Sequence, residues 1–232
     1  MANRTGRLSG NDYLYVIERF AVRVAKSIVG GEMTEPNNPF GDLYHQKENA
    51  FSEVKGSGLS SGPIVEVNQL ERHLDDIERH DHQYVFVLYR NRRWEHGRWV
   101  YLPRRAGRTQ KALEKFLTLN VREVYILHIS VVEAIFRNCP EKDIKCYLMQ
   151  RGPKTYIKLY PGKMKKLVRR HGALADFGLE PDDYAIESGR RAAKFNGQSI
   201  QVAVSTIKPK QLSEEAFWAA SVPAVFGPAS VS

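Results

Sequence analysis

Gly41-Asp42-Leu43-Tyr44-His45, followed after a polar stretch by Phe51-Ser52-Glu53-Val54-Lys55-Gly56-Ser57, reads as two neighbouring strands joined across Gln46 to Asn49. Side chains two apart on a strand share a face, so Glu53 and Lys55 point together while Val54 turns to the apolar layer behind. Asp42 reaches the same sheet end from the preceding strand. Two carboxylates so placed can hold a divalent cation, and an ammonium can sit beside an attacking water.

Outward from this pair, the chain alternates helix and strand. Leu14, Ile17, Ala21, Val24 and Ile28 recur at helical spacing behind a cap at Asn11 or Asp12, and Gly30-Gly31 stops that helix. Gly56 to Gly62 reads as a turn near the site, without the Gly-Lys-Ser/Thr ending of a nucleotide-binding loop. Asn68 and Glu71 have capping-box spacing ahead of a helix whose Leu70, Leu74 and Ile77 face the core, with Gln69 in its positive first turn. Tyr84 to Tyr89 is an apolar run suited to a central strand covered on both faces. Ala112, Leu113, Phe116 and Leu117 mark another helix, Val124 to Ile129 a strand, and Ser130 with Glu133 the cap of a short helix ending before Pro140. Ile144 to Met149 and Thr155 to Leu159 flank a hairpin turn at Arg151-Gly152-Pro153-Lys154, and Pro161 opens a lysine-rich helix that Gly172 closes. This alternation predicts a mixed α/β sheet with helices on both faces.

The two strands and the helix after them resemble the PD-(D/E)xK nuclease superfamily, which includes restriction endonucleases and Holliday junction resolvases. Asp42, Glu53, Lys55 and Gln69 occupy the places of that family's acidic residue, its Glu-x-Lys and its helix-opening glutamine. Gly41 stands where the name-giving proline would be, with Pro39 three residues ahead of Asp42. The resemblance covers residues 10 to 90 or so and implies a restriction-endonuclease-like α/β core with a central mixed β-sheet flanked by helices. That core is expected over residues 1–139, with a C-terminal basic α+β extension over 140–207, beside the core or within the same domain, and a tail over 208–232. The resemblance further implies that Asp42 and Glu53 ligate Mg2+, for which Mn2+ substitutes, and that the backbone carbonyl of Val54 adds a ligand. Lys55 would orient or deprotonate the attacking water, Gln69 would place the scissile phosphate, and Glu18 on the first helix would assist the metal site. A second acid-x-Lys triplet, Asp143-Ile144-Lys145, lacks these flanks.

A formal charge of +9 and a pI near 9.5 give a positive field that attracts polyanions. Arg90, Arg92, Arg93, Arg98, Arg104, Arg105 and Arg108 are interrupted by one acid, Glu95, and interleaved with Trp94, Trp99 and Tyr101. A second run includes Lys163, Lys165, Lys166, Arg169 and Arg170. These cations suit phosphate contacts, while the tryptophans either stack on unpaired bases or belong to the core.

Other chemistries are poorly served. The two cysteines, Cys139 and Cys146, give no disulfide framework or Cys-x-x-Cys motif, which fits a reducing cytosol. His80-Asp81-His82 lacks the further ligands a zinc site needs, and there is no Gly-x-Ser-x-Gly elbow. Residues 1–10 contain no apolar stretch of the secretory type, and no segment approaches the ~18 apolar residues of a membrane span. The sequence therefore predicts a Mg2+-dependent DNA endonuclease, cytoplasmic, nucleoid-associated or intracellular in a virus, with no membrane partner. A homodimer is expected, because two antiparallel strands need two equivalent sites. The alternatives are a structure-selective resolvase of Holliday junctions or other branched DNA, and a non-catalytic nucleic-acid-binding protein.

Overall fold

The computed structural model describes residues 10–102, 109–137, 146–151, 153–159 and 184–209. Arg104, Arg105, Cys139, the Asp143 to Lys145 triplet, the run with Lys163, Lys165, Lys166 and Arg169, and the tail beyond Pro209 lie outside the described residues. In chain order the elements are α1 (Gly10–Val29), β1 (Glu32–Met33), β2 (Leu43–His45), β3 (Ala50–Gly58), β4 (Ile64–Glu66), α2 (Val67–Asp75), β5 (Asp81–Tyr89), β6 (Arg92–Glu95), β7 (Arg98–Tyr101), α3 (Gln110–Asn120), β8 (Val121–His128), α4 (Ile129–Arg137), β9 (Cys146–Arg151), β10 (Lys154–Leu159), β11 (Tyr184–Phe195) and β12 (Gln198–Pro209).

A seven-stranded mixed sheet, ordered β1-β2-β3-β5-β8-β12-β11, forms the middle layer. β3 and β5 are parallel, as are β8 and β12, while the other neighbours are antiparallel. Alternation along β5 divides its side chains between two cores. Val85, Val87 and Tyr89 pack with α1 and α3, whereas Tyr84, Phe86 and Leu88 pack with α2, α4 and the small sheet β4-β10-β9. The strand expected over Tyr84 to Tyr89 is thus central and covered on both faces, as its apolar run requires.

Several local expectations need correction. α1 already includes Asn11 and Asp12 in its first turn, so neither caps it, and Leu14 is 46% exposed because the inward stripe runs through Tyr13, Ile17, Phe20 and Val24. α2 has Glu66 as N-cap and no side-chain cap, because β4 leads directly into the helix while Glu66 pairs with Tyr156. Asn68 therefore lies inside the first turn, and Ile77, beyond the helix end, is 41% exposed. Gly56, Ser57 and Gly58 continue β3, so the turn starts only at Leu59. β8 ends at His128; Ser130 is the second residue of α4 and its hydroxyl meets His128 Nδ1 at 2.8 Å instead of capping. The paired strands β11 and β12, turning at Asn196 and Gly197, were not expected, and Lys208 and Pro209 belong to β12.

Candidate active site

The turn ahead of β2 fixes Asp42. Gly41 has φ +148°, which proline's ring, locked near −65°, cannot adopt, so the departure from the proline of the resembled motif is a backbone requirement. A Cβ on Gly41 would also stand 3.0 Å from the Ser52 carbonyl oxygen. Thr34 donates through its hydroxyl to the Gly41 carbonyl (2.6 Å) and through its N–H to the Asp42 carbonyl (3.1 Å). Asp42 N–H donates to Ser52 O at 2.9 Å, and Val54 N–H donates to Asp42 Oδ2 at 2.9 Å. In an extended strand the N–H and C=O of one residue leave by the same edge, so the Val54 carbonyl also faces the Asp42 side.

Glu53 and Lys55 project from β3 toward α2, on the face shared with their pairing partners Tyr84 and Phe86. Lys55 Nζ is ion-paired with Glu53 Oε1 and donates to Gln69 Oε1 at 3.0 Å. Asp42, Glu53, Lys55 and Gln69 are therefore brought together. Glu18 stands exposed on α1 without joining the hydrogen bonds, but its charge reaches both Asp42 and Lys55. Gly56 permits this approach: its missing Cβ would lie 3.0 Å from Ala21 Cβ of α1.

The electrostatics suit a cation. Burial, and then the Glu53 charge, raise the Asp42 carboxyl from 3.8 to about 6. Burial works against a charged Lys55, but Glu53, Asp42 and Glu18 outweigh it and hold its pKa above the usual lysine value. Asp42 Oδ1 and Glu53 Oε2 accept no hydrogen bond among the described residues. Two crowded carboxylates with open oxygens fit Mg2+, which keeps several waters and needs only one or two protein carboxylates. Among the described residues no group of three or more His, Cys, Asp or Glu could hold a metal ion.

Sequence reasoning missed His73. Fully buried on α2, it sits opposite Nε2 to the Pro39 carbonyl (3.1 Å) and Nδ1 to the Tyr84 hydroxyl (3.0 Å). The carbonyl can only accept, so Nε2 carries the proton and Nδ1 accepts from Tyr84. Burial lowers its pKa to about 4, which keeps the ring neutral. His73 thereby ties the helix bearing Gln69 to the loop that leads into Asp42. The legible signal was position: His73 lies three residues after Leu70 and beside Leu74, on the inward stripe of α2. The triplet His80-Asp81-His82 is spent on internal bonds, with His80 and His82 both on Asp76 Oδ2 (2.7 and 3.0 Å) and Asp81 on His128 (2.8 Å).

Of the predicted cationic residues, Arg90, Arg92, Arg93 and Arg98 are described, at the hairpin β6–β7 and the strand end before it. Trp94, Trp99 and Tyr101 are 61%, 46% and 59% exposed, so the tryptophans stand outside the core. Arg122, from β8, joins them at a groove of about 800 Å³. No family model, no curated protein and no solved structure matches the chain.

Proposed function

We propose that the protein is a Mg2+-dependent endodeoxyribonuclease with a restriction-endonuclease-like core. The observation that carries this reading is the convergence of Asp42, Glu53, Lys55 and Gln69, with Asp42 raised to about 6 by burial and by Glu53. Strands β2 and β3 and, after the short β4, helix α2 also follow the order of two strands and a helix that the resemblance implies.

Asp42 and Glu53 would hold the cation through Oδ1 and Oε2, assisted by the Val54 carbonyl. A bound Mg2+ would supply charge neutralisation at the scissile phosphodiester and acidify water there. Lys55, whose neighbours favour its protonated form, orients the attacking water and stabilises charge developing on the phosphate; this makes it a poor proton acceptor. Gln69 gives its carboxamide oxygen to Lys55, which leaves its NH2 to donate to a phosphate oxygen.

The test is cleavage of supercoiled plasmid, linear duplex, single-stranded and four-way-junction DNA with magnesium and with EDTA. Cutting should require the metal and disappear in Asp42→Asn and Lys55→Ala while DNA binding remains. Full activity in either variant would overturn the assignment.

A further inference from the structure

We propose that the groove between the hairpin β6–β7 and the ends of β3 and β5 seats unpaired nucleotides, so that the substrate carries a single-stranded segment. The proposal deepens the nuclease reading and rests on it for the choice of DNA. Its floor is fixed: Leu59 N–H donates to Tyr89 O (2.8 Å), Arg90 N–H to Asn120 O (3.0 Å) and Asn91 Nδ2 to Ser60 Oγ (2.8 Å). Leu102 N–H donates to Asn91 O at 2.7 Å, which returns the hairpin to the same point.

The lining brings together two kinds of group that a nucleotide needs. Arg90, Arg93 and Arg122 supply cations, although only two of them are close in sequence. Arg122 is held among them despite a pKa lowered by burial and by the charges of Arg90 and Arg93. An anion entering the groove would relieve that repulsion. Arg93 spends its terminal nitrogen on Glu95 (2.8 and 2.9 Å), yet its Nε is buried without a hydrogen-bond partner among the described residues. Trp94, Trp99 and Tyr101 supply ring faces. Arg92 covers one side of Trp99 at 4.5 Å, and Trp94 meets Trp99 edge to face at 5.2 Å, which leaves most of Trp94 open.

Aromatic faces stack on bases only where the bases are not already stacked in a duplex, so this lining favours a single strand. An acidic peptide would use the arginines and leave the rings in water. Distance is consistent with one substrate reaching both places. Leu59 lies six residues beyond Glu53 along β3, or about 20 Å at ~3.3 Å per residue. Where the stretch between seat and site keeps the duplex rise of ~3.4 Å per nucleotide, the site would cut about six nucleotides from the seated segment.

The experiment titrates the full chain carrying Lys55→Ala, in EDTA, with a fluorescein-labelled oligothymidylate and with a blunt duplex of equal phosphate count. Oligothymidylate should bind more tightly than duplex and quench tryptophan fluorescence. Trp94→Ala, an exposed position that cannot unfold the core, should weaken the oligothymidylate about tenfold and leave the duplex unchanged. Arg122→Ala should weaken it and lower its salt slope by about 0.7. Equal loss for both ligands, no loss in Trp94→Ala, or displacement of the oligothymidylate by polyglutamate would overturn the proposal, the last result pointing to an acidic protein partner. Tight, ring-dependent binding by wild-type protein that cuts nothing with magnesium would defeat the nuclease reading and leave the seat standing. Metal-dependent cutting with ring-independent binding would do the reverse.

Discussion

At Asp42 stability and activity pull in opposite directions. Its carboxyl, raised from 3.8 to about 6, contributes stability below the unfolded value that is lost as pH rises through about 6. Above that range the metal-free protein gives up at most about 3 kcal/mol at this residue. Asp42→Asn retains an acceptor for the Val54 N–H and removes the charge. Its metal-free Tm should therefore exceed that of wild type by a few degrees above pH ~7, while the rise that magnesium gives wild type should vanish. In wild type that rise should itself fade as pH falls through about 6, where Asp42 protonates. Thermal melts at two pH values, with and without magnesium, check all three outcomes; a destabilised variant that still responds to magnesium would remove Asp42 from the metal site. His73 carries the opposite sign. Its depressed pKa contributes stability that is full above 6.5 and lost as pH falls toward about 4. His73→Leu strands the Pro39 carbonyl and the Tyr84 hydroxyl, so denaturant unfolding should show a loss of about 2–4 kcal/mol and a flatter acid limb. An unchanged acid limb would show that His73 does not titrate as its burial requires.

Turns decide how accurately the elements deliver these residues. Gly41 and Gly197 both have positive φ, +148° and +76°, but a Cβ on Gly197 meets nothing within 4 Å whereas one on Gly41 strikes the β3 backbone. Alanine at Gly197 should cost about 1 kcal/mol and leave magnesium binding intact, while alanine at Gly41 should cost about 1–3 kcal/mol and displace Asp42. Calorimetric magnesium titration separates the two, and equal metal affinity in both would deny the turn its positioning role. These elements also show what the sequence could convey. α1, β2, β3 and β5 were readable because their periodicity is local, and the clustering of the four candidate residues was readable because all lie between Asp42 and Gln69. Arg122 was not, since it reaches Arg90 through the antiparallel register that places Tyr89 opposite Val121. β11 was missed because Gly189, Arg190, Arg191, Ala192 and Ala193 give no period-two alternation; its pairing with β12 holds it, and Asn196-Gly197 was the neglected hairpin signal. The caps at Asn68 and Ser130 failed for a common reason: a strand runs directly into each helix and the backbone needs no side-chain start.

On the scale of the whole molecule, the N-terminal site depends on strands from the far end of the chain. β12 lies parallel to β8 in the main sheet and sends Ile200 and Val202 into the core shared with α1, while β10 closes β4 and sends Ile157 and Leu159 into the core shared with α2. No helix among the described residues is long and apolar enough to cross a membrane. If the protein cuts both strands of a duplex, a two-fold homodimer would present equivalent sites to antiparallel strands, and mixing wild type with Lys55→Ala should accumulate nicked product. Activity strictly proportional to the wild-type fraction, from a particle that scatters light as a monomer, would defeat that arrangement. The fragment 1–139 is the sharper test of integration, since it holds every proposed catalytic residue. Cutting there removes β12 and uncovers the β8 edge, a row of unpaired backbone groups flanked by Val124 and Ile126. It also strips four fully or nearly fully buried side chains from the two cores, each worth about 1.5–3 kcal/mol of burial. Their sum, about 6–12 kcal/mol, is comparable with the ~5–15 kcal/mol that holds a typical domain folded. The fragment should therefore elute as aggregate or lose its near-ultraviolet circular dichroism, and should not shift its melting with magnesium. A soluble fragment that melts cooperatively and binds the metal would show instead that the C-terminal strands only decorate a core able to stand without them.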